Sequence, residues 1–121
     1  MKRIVSVLVA AAVAAAAYFV LTPFAGARSN ASTATTVRVT AKDTLKFVLS
    51  RRSAPHGKTI FKVKNTGVLR HDFKIAGKKT RLLGHNQTAT LTVTLSKGKH
   101  RYSCTVPGHA AAGMKGVFRS T

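Results

Sequence analysis

Residues 89–95, with the sequence ATLTVTL, alternate strictly between small or hydroxyl side chains and apolar ones. Successive side chains of a β-strand point to opposite faces, so Leu91, Val93 and Leu95 share one face and the threonines share the other. An amphipathic helix would instead repeat its apolar residues every three or four positions. The segment therefore predicts a β-strand with one buried and one exposed face.

Shorter alternating runs lie on both sides of this strand, and turn-forming residues separate them. The predicted strands are 36–40, 44–50, 59–64, 71–76, 80–83, 88–95, 100–105 and 116–120. No apolar helical period is sustained over three turns, and no glycine-rich phosphate loop follows a strand. The pattern predicts an all-β sandwich of about 7–8 strands and excludes a helical bundle or a nucleotide-binding fold.

The N-terminal segment has the features of an export signal. Lys2 and Arg3 precede an apolar run over 4–21, and residues 25–27 (AGA) form a small-residue cleavage site. We predict a signal peptide over residues 1–27. Because the run reaches the lower limit for spanning a bilayer, an uncleaved N-terminal membrane anchor is the alternative. Either arrangement predicts an exported protein that is periplasmic, extracellular or on the outer face of the membrane.

The rest of the chain is predicted to be a short linker and one domain. Residues 28–36 are small, polar and without periodicity, which predicts a flexible lead-in. Residues 37–121 have room for a single domain, and we expect a monomer. With Cys104 the only cysteine in the chain, no internal disulfide can form, although exported domains often use them.

The charge of the chain is strongly positive, with 21 Lys and Arg residues, 2 acidic residues and a net charge of +19. Such a surface attracts acidic partners at short range. The predicted partners are an acidic redox protein, bound transiently, and an anionic membrane or cell-wall surface. Only 2 Tyr and no Trp are present, without an aromatic pattern for base stacking, so no specific nucleic acid is expected.

Residues 102–114, with the sequence YSCTVPGHAAAGM, form the segment that carries chemistry. Cys104, His109 and Met114 lie in it at equal spacing, between two predicted strands and around the turn Pro107-Gly108. A core distributes Cys and Met freely, whereas a site for a soft metal needs a thiolate, an imidazole and a thioether at one point. We therefore predict that these three side chains bind a metal ion.

His71 is the predicted fourth ligand. It follows a turn at 65–67 and opens the run 71–75, which would bring it to the same end of the sandwich. Two His, one Cys and a weak axial Met are the donor set of electron-transfer copper sites, whereas zinc prefers four strong ligands. Copper is the predicted metal and zinc the alternative. His56, His85 and His100 lack partner donors and are interpreted as solvated.

These segments resemble the copper-binding regions of the cupredoxins, the plastocyanin and azurin group. The resemblance rests on Asn-x-Gly…His-Asp-Phe at 65–73 and Tyr-x-Cys-Thr-x-Pro-Gly-His…Gly-Met at 102–114, and it covers residues 37–121. It implies a Greek-key β-sandwich with one type 1 copper ion, whose ligands are His71, Cys104, His109 and Met114. One departure is Asp72, where the two best-known members often have Asn, and this would alter the surroundings of the ligands.

The resemblance implies a single-copper, exported electron-transfer protein that cycles between Cu(I) and Cu(II) and passes electrons through His109. The small residues of 107–112 would surround that histidine at the surface. Ser103 and Thr105 flank Cys104, so the further His ligands of a second copper centre are missing there and no enzyme activity is expected.

Two other functions remain open from the sequence. One is a copper carrier or metallochaperone that delivers the ion during cofactor assembly. The other is a cationic surface-binding module in which copper is absent or incidental. Reversible redox cycling without loss of metal would distinguish an electron carrier from a copper carrier, and surface binding that survives Cys104→Ser would indicate the cationic module.

Overall fold

The computed structural model describes residues 16–17 and 33–121. All of the predicted leader, 1–27, except residues 16–17, and the first five residues of the predicted lead-in, 28–36, lie outside these ranges. The last two residues of the lead-in, Thr35 and Thr36, belong to the first strand. Within the described ranges, no helix has the length and apolar character needed to cross a bilayer.

Nine β-strands account for the regular structure of the described chain. They are β1 Thr35–Lys42, β2 Lys46–Leu49, β3 Ser53–Ala54, β4 Gly57–Asn65, β5 Lys74–Ile75, β6 Lys78–Lys79, β7 Thr88–Leu95, β8 Gly98–Ser103 and β9 Lys115–Ser120. They form a four-stranded sheet in the order β2-β1-β4-β7 and a five-stranded sheet in the order β3-β9-β8-β5-β6. The result is the two-sheet, all-β sandwich that the alternating pattern predicts.

The four-stranded sheet combines parallel and antiparallel neighbours. β1 runs parallel to β4, with Val37 opposite Phe61 and Val39 opposite Val63, while β7 pairs antiparallel with the other edge of β4. Val37, Phe61 and Val63 are buried, whereas the lysines that alternate with them in β4 are exposed. The apolar face of this sheet therefore forms one wall of the core.

Aromatic rings link the two sheets. Phe61 of the first sheet packs on Phe118 of the second, with ring centroids 5.3 Å apart, and on Phe73, at 5.2 Å. Phe47 meets Phe73 edge-on at 5.2 Å. Such tilted and edge-on pairs are favourable beyond the area they bury. A second, smaller cluster of Ala41, Cys104 and Met114 lies at one end of the sandwich.

The predicted strand boundaries are confirmed unevenly. The segment 88–95 is β7 itself, and runs 36–40 and 59–64 are the centres of longer strands. The prediction of a strand at 80–83 is wrong, because only Leu83 pairs there, in an isolated bridge to His71. The predicted run 71–76 shortens to two strand residues, β5, and the two-residue β3 was not predicted.

Candidate metal centre

Three of the four predicted ligands meet at one end of the sandwich. Single ligand atoms from His71, Cys104 and His109 lie within 4.8 Å of one another. The two imidazole Nδ1 atoms are 3.2 Å apart, and Cys104 Sγ is 3.6 Å from His109 Nδ1. Two facing ring nitrogens and a sulfur are a donor set suited to one soft cation.

The backbone around His71 is fixed by an isolated bridge. His71 N–H donates to Leu83 O at 3.1 Å and Leu83 N–H donates to His71 O at 2.8 Å. The residue is fully buried. Its Nε2 lies 3.3 Å from Asp43 Oδ1, which favours the tautomer with the proton on Nε2. The Nδ1 lone pair is then free to face the centre of the site.

The loop 104–114 closes on itself through its own backbone. Cys104, directly after β8, donates its N–H to Met114 O at 3.0 Å, and Met114 N–H donates to His109 O at 3.0 Å. Gly108 and Gly113 adopt φ angles of 82° and 111°, which side-chain-bearing residues rarely take. These contacts hold the three predicted loop ligands next to one another.

Met114 packs in one buried cluster with Cys104, which is one of the three converging ligands. Its side chain is fully buried and lies in the cluster with Ala41 and Cys104, against Leu45 and Phe47. The thioether therefore lies in a dry, apolar pocket next to the thiol. A methionine there suits the weak axial position of a copper site better than the fourth strong position of a zinc site.

Burial controls the protonation of the thiol. Cys104 is 1% exposed, and desolvation raises the pKa of its thiol, while a hydrogen bond with the Asp72 backbone lowers this pKa by less. The metal-free protein therefore carries a neutral thiol at neutral pH. A metal ion would displace this proton when it binds.

Asp72 ties the two ligand segments together. Its Oδ1 accepts the Thr105 N–H at 2.6 Å, and its Oδ2 accepts a hydrogen bond from the Thr105 hydroxyl. Asp72 follows His71 and Thr105 follows Cys104, so one buried carboxylate connects both neighbours of these ligands. The side chain at this departure from the family pattern therefore connects the two ligand segments.

Two further residues support the site: Asn65, which opens the Asn-x-Gly motif, and Asp43, which no sequence pattern singled out. Asn65 is fully buried, and its Nδ2 donates to Leu69 O at 2.7 Å and to Leu83 O at 2.9 Å. Asp43 accepts two backbone N–H bonds, of which the one from Val68 is the main cause of its lowered pKa. The available signal was that Asp43 is one of only 2 acidic residues in the chain.

The remaining histidines bond to backbone carbonyls away from the converging ligand atoms. His56 Nδ1 lies 2.9 Å from Thr121 O, His85 Nδ1 lies 2.8 Å from Gly67 O, and His100 Nε2 lies 2.7 Å from Ser96 O. Each ring already has a local partner. The group of three donors found in the described chain does not include them.

The sequence identifies the class of protein. The sequence matches the plastocyanin/azurin family of copper binding proteins over residues 29–119, so the chain belongs to this family. The family consists of electron carriers rather than enzymes, and this chain is accordingly a blue-copper electron-transfer protein. No characterised protein sequence matched in a separate comparison.

Solved structures of blue-copper proteins share the fold. Na-dithionite-reduced auracyanin from the photosynthetic bacterium Roseiflexus castenholzii matches with a TM-score of 0.65 and 22% identity, covering 72% of this chain and 97% of that one. Auracyanin A, a "blue" copper protein from Chloroflexus aurantiacus, matches at 0.61 and 20%, covering 73% and 99%. The azurin Az-iso2 from Methylomonas sp. strain J matches at 0.59 and 17%, covering 72% and 98%.

Proposed function

We propose that His71, Cys104, His109 and Met114 bind one type 1 copper ion. The convergence of two Nδ1 atoms and one Sγ within 4.8 Å is the observation that carries this assignment. Copper bound by this donor set alternates between Cu(I) and Cu(II) and supplies the one-electron chemistry.

The protein's own contribution is a site that stays the same in both oxidation states. His71, Cys104 and Met114 are each at most 1% exposed, so water is excluded from three of the four ligands. The bridge at His71 and the backbone bonds within 104–114 hold the ligands without requiring the metal. A ligand set fixed in this way has little to rearrange when the charge at its centre changes.

We further propose that electrons enter and leave at His109. This is the one predicted ligand with a partly exposed side chain, and Pro107, Gly108, Ala111 and Ala112 around it are exposed and small. Small side chains let another protein approach the imidazole edge closely. Small contact areas of this kind suit brief docking rather than tight binding.

The redox partner is proposed to be acidic. The exposed cations Arg70 and Lys115 flank the ligand segments in sequence, and Lys46 brings its Nζ next to Gly113 in the loop. Cations at the rim of a docking surface accelerate encounters with a negatively charged partner more than they tighten the complex. Raising the salt concentration should therefore slow electron exchange with such a partner.

Export is proposed from residues 1–27, which carry the basic start, apolar run and cleavage site of a leader. Cupredoxins usually act outside the cytoplasm. Mass spectrometry of the exported protein tests this directly. A mature chain that begins at Arg28 supports cleavage, and a chain that retains the apolar run in the membrane fraction supports the anchor.

The copper assignment is tested by the visible and EPR spectra of the protein with one equivalent of Cu(II). We expect an intense copper–thiolate charge-transfer band that Cys104→Ser abolishes. His100→Ala is the matched control, because that imidazole bonds to Ser96 O outside the site, and it should keep the band. A protein without the band, or a band that survives Cys104→Ser, would contradict the assignment.

A further inference from the structure

The chain contains only 2 acidic residues, and both contact the ligand segments. Asp72 bonds to Thr105, next to Cys104. Asp43, in the turn after β1, lies 3.3 Å from the Nε2 of His71. In a protein with 21 basic residues, neither carboxylate is used for an ion pair with Lys or Arg in the described chain. The negative charge of the molecule is concentrated around its metal centre.

Asp43 is held in place by the loop that precedes His71. Its Oδ2 accepts the Val68 N–H at 2.7 Å, and its Oδ1 accepts the Leu69 N–H at 3.0 Å. Gly67 makes this approach possible, because a Cβ at that position would collide with the Asp43 carboxylate. The backbone of Gly67, Val68 and Leu69 therefore forms the binding site for the Asp43 carboxylate.

Among the residues that the structure describes, Asp43 makes the only polar contact with the His71 side chain away from the site. The imidazole is fully buried, so its Nε2–H cannot bond to bulk water, and an unpartnered buried N–H is unfavourable. Among the described residues, Asp43 Oδ1 is the acceptor within reach of Nε2. A metal-ligating histidine is commonly oriented by an acceptor on its other ring nitrogen, and a carboxylate also increases its basicity.

We propose that Asp43 is a positioning residue for the copper ligand His71. It fixes the Nε2–H tautomer and the orientation of the ring, and its charge favours Cu(II) over Cu(I). This inference rests on the proposed assignment of His71 as a ligand. Because the Asp43 side chain is 39% exposed, solvent screens part of its charge, and the contact with the imidazole carries the effect.

Asp43→Asn is the most informative substitution, since it keeps the size of the side chain. One oxygen of the carboxylate accepts the Val68 N–H, and the other accepts the Leu69 N–H and faces the His71 Nε2. An amide has only one acceptor oxygen, so its NH₂ group must face either Val68 N–H or the pair of donors. In this variant, either the Val68 N–H or the pair formed by the Leu69 N–H and the His71 Nε2–H therefore loses its acceptor.

The first readout needs no copper. In ¹⁵N-labelled, metal-free protein, His71 should show the Nε2–H tautomer and a ring N–H protected from exchange with water. We expect Asp43→Asn to accelerate this exchange at least tenfold. Unchanged backbone amide spectra outside 66–71 would establish that the variant is folded.

The second readout is the preference of the site for Cu(II) over Cu(I). Changes to groups that orient a metal-bound histidine typically cost about 10–100-fold in metal affinity. We expect Asp43→Asn to weaken Cu(II) binding about tenfold more than Cu(I) binding, which corresponds to a rise in potential of about 59 mV. The blue band should remain, because all four proposed ligands are still present.

The control separates the contact from net charge. Val68 is 77% exposed and its N–H contacts Asp43, so Asp43→Asn combined with Val68→Asp restores a negative charge near position 43 without the contact to His71. We expect the double variant to keep the altered exchange rate and the altered potential. Gly67→Ala should reproduce both changes with the carboxylate still present, because it displaces Asp43.

Two results would overturn the proposal. One is a His71 ring N–H that exchanges within twofold of the wild-type rate in Asp43→Asn. The other is full restoration of the potential by Val68→Asp, which would make Asp43 only one charge among many. If the wild-type protein showed no copper–thiolate band, the proposed function would fail instead, whatever the copper-free exchange rates were.

Discussion

Met114 and Cys104 differ in what their burial achieves. Both are buried, in one cluster with Ala41. For Cys104, burial raises the pKa of the thiol, so deprotonation is coupled to metal binding. For Met114, burial brings a neutral thioether to the site without water. One apolar pocket therefore supplies both a strong charged donor and a weak neutral donor.

Met114→Leu tests the axial role of the thioether. Leucine fills a similar volume but offers no donor, so Cu(II), which gains more from the extra ligand, should lose more affinity than Cu(I). We expect the blue band to persist and the potential to rise, by about 59 mV for each tenfold change in relative affinity. Voltammetry measures the change, and an unchanged or lower potential would contradict an axial Met114.

Thr105→Val tests the link made by Asp72. Asp72 is 5% exposed, and the valine removes the hydroxyl donor to its Oδ2 while leaving the backbone donor in place. Leaving part of a buried carboxylate unpaired should destabilise the metal-free protein by about 1–3 kcal/mol. Urea unfolding measures this cost. Thr94→Val, on the exposed face of β7, is the matched control and should be nearly neutral.

At the scale of elements, strands were predicted most accurately where the alternation of apolar and polar residues is long and strict. β7 was predicted to the residue, because its eight positions alternate without exception. The prediction of a strand at 80–83 was wrong, because Thr80 turns inward and its hydroxyl accepts the Phe73 N–H at 3.1 Å. Within this segment, only Leu83 forms a β-bridge. The two residues of β3 are too few to give a period.

Three of the predicted ligands came from short-range spacing in the loop, His71 came from its position after a turn, and the family resemblance joined all four. The structure brings them to the same end of the sandwich. The contacts that hold these ligands in place could not be predicted from the sequence in this way. Asp43 and His71 are separated by 28 positions, and Asp72 and Thr105 by 33. Such contacts depend on how the sheets pack, and no local pattern encodes them.

Phe73→Ala tests the packing that positions β5 next to the site. Phe73 is fully buried and its ring lies 5.2 Å from Phe61 and 5.5 Å from Tyr102. Removing a buried aromatic ring should cost about 3–5 kcal/mol. Because Phe73 lies two residues after His71, copper binding should weaken as well. Val48→Ala is the control, since Val48 is 50% exposed, and a similar loss there would contradict this account.

At the scale of the whole molecule, the positive charge is distributed over both outer faces of the sandwich. Arg38 lies opposite Lys62 on one sheet, and Lys99 lies opposite Arg119 on the other. Like charges at directly opposite positions repel. With only 2 acidic residues in the chain, both at the metal centre, internal carboxylates cannot offset this repulsion. Stability should therefore depend on screening by salt.

We expect the melting temperature of the metal-free protein to rise with sodium chloride. Repulsion between exposed charges reaches about 30 Å at 0.01 M salt but only about 3 Å at 1 M, and each kcal/mol gained should raise the midpoint by about 4–8 °C. Calorimetry measures the slope. Lys62→Gln, which removes the cation opposite Arg38, should lessen the dependence. A midpoint that is constant or falls with salt would contradict net repulsion.

The central claim is that this chain carries electrons and keeps its copper, and redox cycling in the presence of a chelator tests it most directly. The protein with one bound copper would be reduced with dithionite and reoxidised repeatedly beside a Cu(I) chelator. We predict that the blue band disappears and returns with undiminished intensity, with one copper retained per chain. Transfer of the copper to the chelator on reduction would contradict the claim and identify a copper carrier instead.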